Sequence, residues 1–283
     1  MLSNSIAHRN VYRYGAHVEK RAGEVRRYFA RCLDKGQIVF SLGAVIEVTG
    51  LSRVAARAQI RRSGQVVPFS LRRGIYIIVP PEYRVNGAPP VDWWLDACFS
   101  HLGEPYYVGL LSAAGFHGSS HQAVQSVQIM ISSTTPRRDM RIGRLHLKFF
   151  QKSGVEKTPA FEPSPAYAPM KVSTVGATMF DLVKYAPRLG GLGRVGEVIS
   201  DLPAKVDSLR EALAVGQEIP TVQRLGYLLD EMKRPNISDM LVKWLASRTY
   251  PPVPLLLGSP IPEKVTSDNR WRIINNTPRK NLI

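Results

Sequence analysis

Through most of the chain apolar residues recur three or four positions apart, broken by short runs in which they alternate or cluster, so the sequence predicts helices interrupted by strands. Residues 16–33 place Val25, Phe29, Cys32 and Leu33 near one helical face and leave Lys20, Arg21, Arg27 and Arg31 largely off it. Residues 38–48 read as a capped helix of about three turns, with Thr49-Gly50 as the turn after it. Residues 51–62, LSRVAARAQIRR, read as a second short helix with Ser52 as its N-cap. Leu51, Val54, Ala55 and Ala58 gather on an expected packing face, while Arg53, Arg57 and Arg61, at i, i+4 and i+8, form a cationic stripe. Ile60 does not obey this division and Arg62 falls near the apolar face, so the helix is expected to end or bend between Arg61 and Gly64. Two β-branched and aromatic runs, residues 65–70 and 75–79, then make a hairpin through Leu71-Arg72-Arg73-Gly74, whose glycine suits a tight turn.

Prolines mark the end of this region. Pro80-Pro81 and Asn86-Gly87-Ala88-Pro89-Pro90 break regular structure, because proline lacks a donor and restricts the residue before it. The expected boundary lies here, with residues 1–85 as an N-terminal domain and 86–283 as the second. Beyond it, residues 92–101 and 106–116 read as packed helices, with Trp93, Trp94, Leu95 and Phe99 in the core. Residues 124–132 and 142–150 read as paired strands, and the proline-rich 161–169 as an extended connection. Thr174 is expected to cap a helix running to Lys184; residues 196–201, 205–214, 222–231 and 238–247 continue helical patterns, and 253–257 and 271–274 are short β-like pieces. No internal repeat or low-complexity tract occurs. The fold class expected is α+β: an N-terminal winged helix-turn-helix followed by a larger mixed α/β domain.

Charge sharpens this picture. The 283 residues carry a formal net charge of +16, of which +10 falls in residues 1–90. Such a field attracts polyanions without specifying a sequence. Membrane association is not expected: no run of 18 apolar residues exists, residues 1–10 lack a signal-peptide core, and no basic amphipathic segment has an aromatic face. Cys32 and Cys98, each in an apolar helical context, fit buried free thiols in a reducing compartment, and a cytoplasmic protein is expected.

Helix, turn, basic helix and hairpin in this order make a winged helix-turn-helix, whose second helix enters the major groove. Double-stranded DNA is therefore the expected partner. Ser52, Arg53, Arg57, Arg61 and Arg62 would lie on the reading helix, and Arg72 and Arg73 at the wing tip would reach backbone phosphate or the minor groove. A solvated basic helix beside an ordinary hairpin, or a winged helix that binds protein, remains the alternative. Arg137, Arg138, Arg141 and Arg144 form a second basic cluster that fits DNA, RNA, a protein partner or plain solvation.

Catalytic and cofactor signatures are weak. Gly191-Leu192-Gly193-Arg194-Val195-Gly196 has the spelling of a dinucleotide loop, but the preceding residues 180–185 are helical in pattern and Pro187 comes next, where that fingerprint requires a strand. A glycine-rich link between helices is the better reading. His117 and His121 are spaced like metal ligands, yet Gly118 disfavours helix between them and no third ligand stands near, so a packed or capping histidine is expected. No nucleophile elbow, P-loop or His-Glu-x-x-His motif is present, and acidic residues are scattered. No cofactor, metal or enzymatic activity is expected. A nucleic-acid-processing enzyme with a winged-helix targeting domain, a transcriptional regulator alone, and a protein-interaction module that acts mainly by neutralising a partner stay open as alternatives.

At Tyr106-Tyr107-Val108-Gly109-Leu110-Leu111-Ser112-Ala113-Ala114-Gly115-Phe116-His117-Gly118 the chain resembles the AbiEi-like antitoxins of type IV toxin–antitoxin and abortive-infection (phage-defence) systems. Leu71-Arg72-Arg73-Gly74-Ile75-Tyr76, Leu225-Gly226-Tyr227-Leu228-Leu229 and Asn269-Arg270-Trp271-Arg272-Ile273-Ile274-Asn275 agree in order and spacing. The resemblance implies a winged helix that represses its own operon and a C-terminal domain that counters a nucleotidyltransferase-like toxin. It places DNA contacts at residues 52–62 and at Arg72 and Arg73, with cooperative loading on inverted repeats if more than one copy binds. It names no residue for neutralisation of the toxin, and a stable complex with the toxin need not form.

Overall fold

The computed structural model describes residues 23–119, 126–132, 137–163, 169–261, 267 and 269–277. The polar start and the first turns of the helix expected from residue 16 lie outside them, as does His121. The chain is α+β and divides into two compact units, one of Met1–Glu104, Met140–His146 and Ser164–Pro169, the other of Pro105–Asp139, Leu147–Pro163 and Met170–Ile283. No described helix is long and apolar enough to cross a membrane.

In the first unit, α1 covers residues 23–34 and buries Val25, Phe29 and Cys32, the face its spacing predicts. Then come β1 (Val39–Ser41), α2 (Leu42–Thr49), α3 (Arg53–Ser63), β2 (Val66–Ser70), β3 (Ile75–Ile78) and α4 (Leu95–Leu102). The helix expected over 38–48 is thus a strand joined to a helix. Val39 and Phe40 pair antiparallel with Ile77 and Tyr76, and sheet pairing overrides the helical spacing. Ser41 keeps an extended backbone and its Oγ accepts from the Ala44 amide at 3.1 Å, which fixes where α2 starts. Phe40 stacks on Tyr76 with ring centroids 5.5 Å apart and lies 5.1 Å from Phe29, so the strand ties α1 to the sheet.

The sheet order is β1-β3-β2, and all four residues of the central strand are buried. Pro68 is tolerated because β2 is an edge strand. The register shifts between Pro68 and Ser70, and the intervening Phe69 meets Trp94 and Phe99 at 6.0 and 5.7 Å. Trp94, Leu95 and Phe99 are core residues as expected, whereas Trp93 is half-buried in a 3-10 turn that precedes α4. Both cysteines are buried free thiols.

The second unit contains β4 (Tyr106–Val108), α5 (Leu110–Phe116) and β5 (Ser126–Ile131). Past β6 (Met140–Ile142), which groups with the first unit, come β7 (Leu145–Gln151), β8 (Ala160–Phe161) and β9 (Val172–Ser173). The helix expected over 106–116 is again a strand followed by a helix. Tyr106-Tyr107-Val108 pairs antiparallel with β5, and Val108 pairs parallel with Val172, so three β-favouring residues are held in the middle of the sheet order β7-β5-β4-β9-β8. Leu110, at a φ of 56°, makes the turn from strand into helix.

Among the described residues the unit continues with α6 (Val175–Lys184), α7 (Leu192–Asp201), α8 (Val206–Ala214), α9 (Ile219–Glu231) and α10 (Pro235–Ala246). The last two strands, β10 (Val253–Pro254) and β11 (Ile273–Ile274), pair parallel. Phe180, Leu182, Val195, Leu209, Leu225, Leu241 and Trp271 join one continuous apolar core with Tyr107 and Met130. Thr174 stands at the N-cap of α6 as expected, but its hydroxyl makes no capping bond and is buried without a partner.

Candidate nucleic-acid interface

Between Glu47 and Glu82 the chain contains six arginines and no acidic residue. α2 ends at Gly50, whose φ of 62° turns the chain toward α3, and the Ser52 hydroxyl accepts from the Ala55 amide at 3.3 Å. Capping is therefore the role the structure gives Ser52 in the folded chain. α3 stops at Gly64, inside the interval its sequence predicts. The hairpin is anchored to α2 at Gly74, which has a φ of 69° and whose carbonyl accepts from the Leu42 amide at 2.7 Å. A Cβ there would lie 2.8 Å from Leu42 Cβ, so glycine is required by conformation and by space.

The packing face of α3 differs from the one its spacing suggests. Ala56 and Ile60 are fully buried and Leu51 is buried just before the helix, but Ala55 and Ala58 are only half-buried and Val54 is 79% exposed. Ile60, which does not fit the division, is the residue that anchors the helix. The error comes from treating alanine and valine as core residues by type alone; on a helix of low apolar content, small residues can face solvent or a ligand.

All six arginines, Arg53, Arg57, Arg61, Arg62, Arg72 and Arg73, are exposed. Arg62 does not sit against the apolar core as its position suggested. Arg57 extends toward the hairpin and donates from Nη2 to the Leu71 carbonyl at 3.4 Å, a long hydrogen bond that brings the middle of α3 and the hairpin tip together. The Arg73 amide donates to the Ser70 hydroxyl at 3.3 Å and orders the tip. Leu71 is itself 64% exposed. Six permanent positive charges are thus distributed around α3 and the hairpin tip, where Val54 and Leu71 are exposed apolar groups, and such a composition suits a polyanion with apolar edges.

The second basic cluster falls across the division between the two units. Arg137 and Arg138 belong to one compact unit and Arg141 and Arg144 to the other. The Arg137 guanidinium lies 5.4 Å from the Phe149 ring centroid, and the Arg144 amide donates to the Asn86 carbonyl at 3.0 Å.

In the second unit the polar centre is Tyr107, Lys152 and Asp181, a grouping that the sequence does not reveal. Tyr107 OH donates to Asp181 Oδ2 at 2.6 Å, and Lys152 Nζ lies 2.7 Å from Asp181 Oδ1 and 3.0 Å from Tyr107 OH. Asp181 is 1% exposed and Lys152 11%. Burial and the neighbouring Asp181 push the Tyr107 phenol far above the ordinary tyrosine range, so it remains a donor. The residues come from β4, the chain just after β7, and α6, 29 to 74 positions apart, and no local motif announces them.

His117 is the C-cap of α5, and its Nε2 bonds the Ser173 carbonyl at 2.7 Å, consistent with the packed or capping role expected. Among the described residues no three His, Cys, Asp or Glu side chains group to hold a metal. The Gly-rich segment opens α7, with Gly191 as N-cap, and is preceded by α6 and a 3-10 turn rather than by a strand.

Two further motifs meet in space. Gly226 of α9 lies against Trp271, where an added Cβ would come within 2.2 Å of the indole ring. Trp271 Nε1 donates to Asp230 Oδ2 at 2.6 Å, and Arg270 bridges Asp230 and Asp239. The Leu225-Gly226-Tyr227 and Arg270-Trp271 signatures are therefore the two halves of one packing contact.

Residues 107–231 match the family model of the AbiEi antitoxin C-terminal domain. No curated protein matches the chain significantly. The fold is similar to that in the crystal structure of the RV2827C protein from Mycobacterium tuberculosis, with a TM-score of 0.60 and 17% identity over 90% of this chain and 91% of that one. At that identity the likeness speaks for the fold alone. The family match runs from Tyr107, the phenol of the buried polar centre, to the last residue of α9, and takes in the Gly226 surface that receives Trp271. Over residues 107–231, therefore, the chain is similar to the C-terminal domain of AbiEi-like antitoxins.

Proposed function

We propose that this protein is an antitoxin and a DNA-binding autorepressor: its N-terminal winged helix-turn-helix, within residues 1–85, binds double-stranded operator DNA in its own promoter, and its C-terminal region counters a nucleotidyltransferase-like toxin in the cytoplasm. The observation that carries the DNA-binding part is the joint exposure of Arg53, Arg57, Arg61, Arg62, Arg72 and Arg73 on α3 and the hairpin tip, in a stretch free of acidic residues. α3 has the length and the exposed basic face to lie in a major groove, with the hairpin beside it over the flanking backbone. Inverted operator repeats would load more than one copy.

Binding of the full-length protein to a labelled duplex from upstream of its own gene, followed by fluorescence anisotropy, tests this reading. Arg57→Ala and Arg61→Ala should each cost on the order of 1–3 kcal/mol where they read a base. Arginines that grip phosphate should instead reduce the slope of log affinity against log salt by about 1 each. Unaltered affinity and salt slope in the Arg57→Ala/Arg61→Ala double variant would remove α3 from the interface.

A further inference from the structure

We infer that Val54, supported by Ala58, reads the 5-methyl group of thymine at one position of the operator. The inference rests on the DNA-binding reading above and adds to it a base and an atom.

At about 100° per residue, Val54 and Ala58 lie about 160° around α3 from Ala56, and Ala58 lies equally far from Ile60. Since Ala56 and Ile60 are the buried contacts of α3, Val54 and Ala58 mark its outward face. Arg61 and Arg62 lie beside them on that face, whereas Arg57 stands nearer the Ile60 edge and bonds the hairpin at Leu71. The centre of the outward surface is therefore two small apolar side chains flanked by guanidinium groups.

Val54 sits in the first turn of α3, directly after the capping Ser52 and Arg53. A helix that enters the major groove presents its N-terminal residues to base edges. A β-branched valine has one strongly preferred rotamer in a helix, so its two methyls occupy a fixed place. Neither Val54 nor Ala58 has a side-chain donor or acceptor, and the apolar group in the major groove is the thymine methyl. Their small size lets the helix backbone approach the base pairs while Arg61 and Arg62 reach phosphates or guanine beside them. The exposure of Val54 at 79% in a cationic surface is then the free state of a base contact.

The test uses the full-length protein and duplexes selected from a random-sequence library, then resynthesised with each thymine in turn replaced by uracil, which removes only the methyl. Wild type should lose about fourfold in affinity at one thymine, the ~0.8 kcal/mol of one buried methyl at 1.4 kcal/mol per decade. Val54→Ala should show little of the thymine-over-uracil preference at that position. Thermal unfolding of Val54→Ala should match wild type, because the side chain is exposed. Duplex binding with equal affinity for thymine and uracil at every position, or a preference that persists in Val54→Ala, would overturn the assignment and leave the DNA-binding reading intact. Absence of duplex binding by wild type would overturn both.

Discussion

Tyr107, Lys152 and Asp181 show how a few side chains can constrain a domain from inside. A carboxylate 1% exposed is costly unless charge and hydrogen bonds compensate it, and here one ammonium and one phenol do so from two other elements. None of the three can be read as a centre from sequence, because each looks like an ordinary residue of its own stretch of chain. His117 is a more readable case, since a histidine after a short apolar helix and before glycine suits a cap. Burial lowers its pKa below the ordinary 6.5, and the bond to the Ser173 carbonyl opposes that shift without cancelling it. The folded state therefore binds its proton less readily than the unfolded chain does. The contribution to stability is complete above about pH 6.5 and declines as the pH falls below it. Chemical denaturation at pH 7.5 and pH 5 should show wild type losing more stability than His117→Gln between the two values. Equal losses in the two proteins would refute the coupling.

At the scale of elements, the helices with two clear faces or a strong boundary were legible, and the apolar runs were not. α3 begins after Ser52 and ends before Gly64 as its sequence predicts, because capping is a local interaction. By contrast, residues 39–41 and 106–108 are strands where helix was expected, because partners about 20 to 65 residues away decide their state. The same distance rule explains why the packing face of α3 was misplaced: what Ile60 and Ala56 touch is not written within the helix. Glycine supplies a sharp test of element packing. Gly226→Ala would drive a methyl into Trp271 and should destabilise the fold by about 1–3 kcal/mol. Gly193→Ala, at an exposed position of α7 with nothing within 4 Å of the added carbon, should be neutral or stabilise by up to about 1 kcal/mol. A Gly226→Ala protein that melts no lower than Gly193→Ala would refute the indole contact as the reason for the glycine in α9.

For the whole molecule, the sequence charge is the long-range signal, and it is uneven: residues 1–90 hold +10 of the +16. The six exposed arginines lie in the first compact unit, while the family match at residues 107–231 falls largely in the second. Operator reading and toxin antagonism should therefore be separable by surface substitutions that leave both cores untouched. Full-length Arg57→Ala/Arg61→Ala, whose altered side chains are exposed, should fold with wild-type stability and lose repression of a reporter driven by its own promoter. Co-expressed with a neighbouring gene's product that arrests growth, the same variant should still relieve that arrest. The complementary variant, Gly226→Ala, perturbs the family domain and should weaken that relief more than it weakens operator binding by the protein that remains folded. If the arginine variant, expressed at wild-type levels, failed to relieve the arrest, neutralisation would have to run through DNA or through the cationic surface itself. Two separable activities in one chain would then be the wrong description of this protein.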